Sequence, residues 1–510
     1  MEPFPWWSEE HRKLAEDVEK FVEENGYIAA ETMWLRKVPW ELVKKVGEKR
    51  WFGVSVPKEY GGLGLGVTGA CIVAEGLAKL GNIGLIYDTT MFGGVHQILE
   101  FGSEEQKRRW LPRIAKGEIL GAITITEPYV GSDVFSIETR AKLVGNEYIV
   151  NGKKRFISNA GIASIYLTYA RTSDKPEDVA AYRHLTALVI EKGTPGFTIE
   201  KINELCGWDG VYNGYLNFED VRVPVENRLG NEGDGWQVAV TGLNFERTLG
   251  AASALGGMVD CLRYAVFHAR RRIQFGQPTS DYQANQLKIA DMMMKLKTAR
   301  LLVYYTAYLI DSGQSPIIES TATKVLVSEI YKAISDDAIQ VMGGDGWTRF
   351  YPVEAVFRSS KILEIGAGTN EVLRLLVYRL GLRLMADYLK PPRRVVHEKL
   401  GIPVPPPPGK PKIPREQVNE DSFLELLAEN YRVNPGLYMA REDIKEEMDI
   451  TDEQLDMIVT SLEEKGLVNV YRDRRGNIRL VRPTYDGLRK AKPSEYYRWY
   501  PDWVDKNELF

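Results

Sequence analysis

The chain has 510 residues, 44% hydrophobic and 27% charged, with a formal net charge of -4. That length exceeds one compact core and points to two to four domains. The near-neutral balance gives no overall pull toward nucleic acid or an anionic membrane, and three scattered cysteines without a C-x-x-C spacing argue against a disulfide framework or a zinc site.

The opening "MEPFPWWSEEHRKLAEDVEK" is acidic and amphipathic, unlike a signal peptide. No apolar run is long enough to span a bilayer, so a reducing cytoplasm and no membrane are expected. Residues 1–120 read as helices. Ser8 is placed to cap one beginning at Glu9, and Ser103 with Gln106 forms a capping box for another. A glycine-rich loop, "VPKEYGGLGLG", lies between them. Over 121–232 the pattern changes to "AITIT", "EYIVNG", "SIYLTYART", "LTALVIEKG" and "GYLNFEDVRVP". Short runs rich in Ile, Val, Thr and Tyr, separated by turn residues, predict a compact β domain.

Long helices return over 233–390, starting near "EGDGWQVAVTGLNFERTLG". The proline-rich stretch 391–416 reads as an extended linker. Residues 417–510 predict a small domain. Asp421 precedes the helical run "SFLELLAEN", "AREDIKEEM" is a second short helix, and Thr451 with Gln454 boxes a third that ends at Gly466. Two strands, "LVNVY" and "NIRLVR", flank the turn "DRRGN", so the tail resembles a winged helix. The predicted class is α+β, multidomain.

Several local motifs are able to hold a ligand. In "ITITEPYVGSDVFSI" a strand ends in a turn whose backbone N–H groups and hydroxyls can meet a planar ligand. In "NGKKRFISNAG" Phe156 and Ser158 share a strand face, one to stack on a ring and the other to bond its edge. Arg272 in "RRIQFGQP" suits a phosphate. "QVMGGDGW" lets backbone approach a ligand closely, and "ILEIGAGTNEVLRLL" sets four small residues before an amphipathic helix. Taken singly, each is more often an ordinary turn or core segment. Their order and spacing carry the argument.

This ordered series resembles the acyl-CoA dehydrogenase family of flavoproteins over roughly residues 8–385. The motifs are "EYGGLG", "GSEEQK", "TEPYVGSD", "NGKKRFISN", "RRIQFGQP", "QVMGGDGW" and "GAGTNEV". Small departures are Val130, where the family usually has a small residue, and Phe156, where tryptophan is common. The resemblance implies a helical N-terminal domain, a middle β-barrel or sandwich and a C-terminal four-helix bundle. It also implies FAD and an acyl-CoA substrate dehydrogenated to the 2-enoyl thioester. A homotetramer and electron-transfer flavoprotein as acceptor come with it. By that resemblance Ile123, Ile125, Thr126, Phe156 and Ser158 line the flavin ring. Arg272, Phe275, Gln283, Gln340 and Gly344 meet the pyrophosphate and adenine side, partly across a subunit boundary. Thr369 and Glu371 complete the FAD site, and Ser132, Asn244, Arg247, Gly366 and Ala367 face the acyl-CoA.

The family reaction needs a carboxylate aimed at the α carbon, hydrogen bonds to the thioester carbonyl and exclusion of water. Most members carry Glu just before the "GT" dipeptide, and this chain has Ala367 there. A minority places the base on the long helix, in a Glu-Arg pair, and "GLNFERTLG" supplies Glu246 and Arg247. Glu246 is therefore the expected base, with Glu364 and Asp88 as alternatives. The Ala367 amide can serve the thioester carbonyl. Gly366 stands where many straight-chain enzymes carry tyrosine, which leaves room for a branched acyl chain and is most similar to the isovaleryl-CoA branch.

The tail admits a rival reading, a DNA-associated family homologue. Residues 411–510 hold 16 lysines and arginines against 21 acids, which speaks against a nucleic-acid footprint and for a subunit or partner contact. A flavin oxidase or monooxygenase on the same scaffold is a further alternative.

Overall fold

The computed structural model describes residues 1–385, 412–433 and 435–498. The chain divides into two compact units, Met1–Met385 and Ala386–Phe510. Most of the proline-rich stretch read as a linker lies outside the described residues.

The first unit opens with helices α1 (Glu9–Trp34), α2 (Trp40–Glu48), α3 (Gly66–Ala78), α4 (Asn82–Thr90), α5 (His96–Phe101) and α6 (Glu104–Ala115). Ser8 and Ser103 cap α1 and α6 through full capping boxes, closed by His11 and Gln106. Eight strands follow: β1 (Gly121–Thr124), β2 (Arg140–Val144), β3 (Glu147–Ser158), β4 (Ile165–Arg171), β5 (Leu185–Glu191), β6 (Phe197–Ile202), β7 (Asn213–Pro224) and β8 (Arg228–Leu229). A short helix, α7 (Pro176–Ala180), interrupts them. The sheet runs β6-β7-β3-β2-β4-β5-β8, with β1 pairing parallel to β4. Its inner face encloses a core of its own around Tyr148, Val150, Tyr166, Leu188, Leu216 and Phe218. The outer face of β4 and β5 joins the larger helical core instead, through Leu167, Tyr169, Leu185, Ala187 and Val189.

Helix α8 (Gly235–Ala269) is the central rod. It is buried on most sides and packs mainly against α10 (Ile317–Met342) and α3. A two-strand hairpin, β9 (Ile273–Gln274) and β10 (Gln277–Pro278), leads to α9 (Gln283–Asp311). Helices α11 (Val353–Ile365) and α12 (Asn370–Leu384) finish the unit. The four small residues 366–369 form the tight link between those last two.

The second unit contains α13 (Glu420–Val433), β11 (Met439–Ala440), α14 (Arg441–Glu447), α15 (Asp452–Glu464), β12 (Val468–Arg472), β13 (Ile478–Pro483) and α16 (Tyr485–Ala491). Its three strands are antiparallel in the order β11-β13-β12 over a core including Phe423, Leu427, Leu455, Leu462 and Val481. Thr451 and Gln454 box α15 as the sequence predicts, whereas α13 begins one residue before Asp421.

Candidate active site

The site grows from the end of β1. Past Thr124 the chain leaves its pairing with β4, and the amide N–H groups of Ile125 and Thr126 find no acceptor among the described residues. Ile123, Ile125 and Thr126 are partly buried. One backbone-to-backbone bond stitches this loop to β3, from the Arg155 amide to the Thr126 carbonyl at 2.7 Å. There the β3–β7 register slips between Lys154 and Ile157. The irregularity puts Phe156 at φ +60° and leaves its ring 51% exposed. Ser158, two residues on, is partly buried and its hydroxyl accepts from Asn213. A half-exposed ring, with the Arg155 guanidinium over one face at 4.2 Å, beside free backbone donors suits a flat heteroaromatic ligand with polar edges.

A buried ion pair lies behind this loop. The Lys154 ammonium meets the Glu127 carboxylate at 2.8 Å, with side chains 0% and 2% exposed. Burial pulls Lys154 down to about 8, while Glu127 draws it back up. Burial pushes the Glu127 carboxyl up, but the Lys154 charge and hydrogen bonds from Lys154, Thr139 and Glu138 more than offset that and hold it below its ordinary value.

Glu246 sits on α8, three turns from its start. Its environment is the reverse. The carboxylate makes no hydrogen bond or close ion pair among the described residues. Burial pushes it up to about 7, against the more distant pull of Arg247 and Lys324. It is within electrostatic reach of the buried Tyr169 on β4, whose hydroxyl has no hydrogen-bond partner. So an unpaired acid on the helix and an unpaired phenol on the sheet share one neighbourhood.

The link 366–369 is pinned from behind. Arg247 Nε donates to the Ala367 carbonyl at 3.4 Å and Nη1 to the Thr321 hydroxyl at 3.0 Å. Lys324 Nζ donates to the Gly368 carbonyl at 2.7 Å and to Asn370 at 3.0 Å. Ala367 is held at φ +54°, a conformation a side chain disfavours. With both carbonyls engaged, the amides of Ala367 and Gly368 are left without acceptors among the described residues. A Cβ added at Gly366 would meet only the Ile362 carbonyl oxygen, at 3.4 Å. Thr369 caps α12 by accepting from the Val372 amide, with Glu371 exposed in the first turn. The loop before β7 docks onto α11, which leads into this link: Arg358 reaches Asp209 at 2.7 Å and the Cys206 carbonyl at 2.8 Å.

The other expected residues fall in different places. Ser132 is exposed on the loop after β1. Asn244 faces the start of α10, where it binds Ser320 at 2.8 Å and Ser315 at 3.3 Å. Arg247 is buried behind the link rather than open to a ligand. Glu364 is ion-paired to Lys361 and, at 3.9 Å, to Lys332. Asp88 is buried in the helical core; burial pushes it up to about 8 against the opposing influence of the nearby Ser253 hydroxyl, and one of its oxygens has no partner.

Arg272, Phe275, Gln283, Gln340 and Gly344 form a separate exposed group. The contact of His268 with Asp345 at 2.7 Å brings the 343–346 glycines beside the end of α8. Phe275 and Gly276 make the two-residue β9–β10 turn, both at positive φ, and the Phe275 ring is 98% exposed. Along α8 this group lies roughly 35 Å from Glu246 at 1.5 Å per residue.

Tyr169, Thr321 and Lys324 build the site without belonging to the motifs, and Lys154 lies inside "NGKKRFISN" without a role assigned to it there. Strand alternation gave a signal for Lys154, which follows the buried Tyr148 and Val150 in phase. The helical lysine and the two hydroxyl residues gave none. Among the described residues no cluster of His, Cys, Asp and Glu could hold a metal ion, and no helix is long and apolar enough to cross a membrane.

Three domain profiles match this chain: acyl-CoA dehydrogenase N-terminal domain over 8–118, middle domain over 122–221 and C-terminal domain over 233–382. It is 39% identical over 347 residues to an acyl-CoA dehydrogenase of Bacillus subtilis, covering 67% of this chain and 90% of that one. It is 38% identical over 341 residues to a mitochondrial isovaleryl-CoA dehydrogenase of Oryza sativa, covering 66% and 82%. The solved FAD complex of PigA is similar with a TM-score of 0.70 and 26% identity, covering 75% of this chain and all of that one. The chain belongs to the acyl-CoA dehydrogenase family, and it is an FAD-dependent oxidoreductase of acyl-CoA thioesters.

Proposed function

We propose that Glu246 is the base of this dehydrogenase and that its substrate is a short, branched acyl-CoA of the isovaleryl type. The observation that carries the reading is the Glu246 carboxylate, left without a hydrogen bond and raised to about 7 by burial. A structural carboxylate withdrawn from solvent normally has partners, and Glu246, partly buried, has none among the described residues. A base poised near neutrality has both an available lone pair and a strong drive to take a proton.

In this reading Glu246 removes the α proton of the thioester. The free Ala367 amide donates to the thioester carbonyl and stabilises charge developing there. Arg247 and Lys324 keep that amide aimed outward by holding the carbonyls of Ala367 and Gly368. The half-exposed Phe156 ring and the amides of Ile125 and Thr126 fit FAD, which supplies the hydride acceptor for the β carbon. The space at Gly366 supports a branched chain, although a methyl group decides only about 1–3 kcal/mol.

The hairpin group around Arg272 and Phe275 is too far along α8 to serve the same flavin as Glu246 in one chain. It supports a homotetramer in which it meets the FAD of a neighbour. We take electron-transfer flavoprotein as the acceptor and the cytoplasm as the compartment. For the tail we favour a subunit or partner contact over nucleic acid. The exposed side of α15 carries Asp452, Glu453, Asp456 and Glu464, and the turn arginines Arg472 and Arg479 are paired with Glu463 and Asp473. No shift of a labelled duplex at low salt is expected.

The test is anaerobic mixing of the FAD-loaded protein with isovaleryl-CoA while flavin absorbance is followed. Bleaching that Glu246→Gln abolishes is the expected result. Bleaching by straight-chain thioesters alone overturns the branched-chain assignment, and undiminished bleaching in the variant overturns the base.

A further inference from the structure

We propose that Lys154 is a positioning residue for the flavin, a three-way clamp that sets the backbone donors of the β1 loop against the Phe156 ring. This rests on the reading above that FAD lies against that loop.

An ammonium group has three protons to donate. All three of Lys154 are engaged, two on the loop after β1 and one on β4: the Ile125 carbonyl at 3.1 Å, Glu127 Oε1 at 2.8 Å and the Tyr169 carbonyl at 2.7 Å. Glu127 extends the clamp by accepting from the amides of Glu138 at 2.6 Å and Thr139 at 3.0 Å. The hub therefore joins the β1 loop, the start of β2, the bulged part of β3 and strand β4.

Stability alone does not account for it. Burying an ion pair costs desolvation, and apolar side chains of similar volume commonly do as well. What the clamp adds is register. Ile125, whose carbonyl Lys154 holds, is the residue whose amide is free, and Thr126 beside it accepts from Arg155. Two residues beyond Lys154, Phe156 is kept at φ +60°, which an unrestrained aromatic residue avoids. The donors that would meet the ligand's edge and the ring that would meet its face are thus fixed to one ammonium. Through the Tyr169 carbonyl the same group reaches the strand whose phenol neighbours Glu246.

The experiment strips FAD from the protein and titrates it back, reading flavin fluorescence for affinity and the two-electron potential of the bound cofactor. Lys154→Met is expected to raise the FAD dissociation constant about tenfold or more, the loss of charge-assisted hydrogen bonds, and to shift the potential. Arg300→Met is the matched control, because Arg300 and Glu75 form a buried ion pair within the helices at 3.2 Å. It is expected to lower the melting temperature comparably and leave FAD affinity unchanged. Should Lys154→Met not fold, Lys154→Arg keeps the charge and misplaces the three donors, and the same loss of affinity is expected. Equal FAD affinity and potential in the Lys154 variants and wild type would overturn the proposal, as would an equal loss in the Arg300 variant. A wild-type protein that takes up no FAD would overturn the underlying reading with it.

Discussion

Glu127 and Glu246 are both withdrawn from solvent, Glu127 fully and Glu246 partly. Glu127 lies among donors: an ammonium and two amides saturate its oxygens, and it remains ionised. Glu246 stands on α8 without a hydrogen bond among the described residues, its nearest cations turned elsewhere, Arg247 onto Ala367 and Lys324 onto Gly368. The first environment stabilises one charge state and one position. The second leaves the acid balanced between charge states. The difference teaches that burial by itself does not distinguish a structural carboxylate from a reactive one; the partners do.

The comparison breaks first at Glu246. Replacement by Gln should slow reduction of the flavin by acyl-CoA by roughly three orders of magnitude, the usual worth of a positioned base, measured by stopped-flow absorbance. Near neutral pH the same variant should be no less stable than wild type. Glu127→Gln should behave oppositely, losing about 3 kcal/mol of unfolding free energy in a denaturant titration because Lys154 is left buried and uncompensated.

Changing the 366–369 link is a smaller perturbation. Gly366→Tyr should fill the space beside the link and move kcat/KM from branched toward straight-chain thioesters by about 10–100-fold. The mildest probe is pH. A folded-state value near 7 means that flavin reduction rises through about pH 7 as Glu246 ionises. For stability the sign is reversed. Folded Glu246 holds its proton above the unfolded carboxylate range, so its contribution falls as pH rises from about 4.5 to about 7. That part of the stability slope should vanish in Glu246→Gln. Asp88, raised to about 8, extends the decline and persists in the variant.

Much of this was legible in the residues, and for local reasons. Ser103, Thr451 and their glutamine partners announce helix starts because a cap is a contact three residues long. The runs that became β4, β5 and β7 stand out by their β-branched and aromatic residues. Strands β2 and β6 were not read, since "RAKLV" and "FTIEKI" carry more charge than a buried strand, and both are largely exposed. In the site, Glu246 was reachable because Ala367 left the expected acid missing. The positions of Arg247 and Asn244 were not, because which way a side chain turns depends on α10 and the 366–369 link, some seventy residues and more than a hundred residues away in sequence. Tyr169 was hidden for the same reason, being one aromatic in a strand full of them.

The unbroken run of α8 has a further consequence, for how this chain can change over generations. Glu246 near one end and the Phe275 hairpin just past the other are joined by an uninterrupted helix whose middle, Ala251 to Gly257, is almost wholly buried. Deleting or inserting one residue there would swing the hairpin about 100° around the axis relative to Glu246, since a turn takes 3.6 residues. Point substitutions at small positions are at least conceivable; length changes are not. The segment 247–268 should therefore be intolerant of every insertion and deletion, even while loops such as 174–183 accept them.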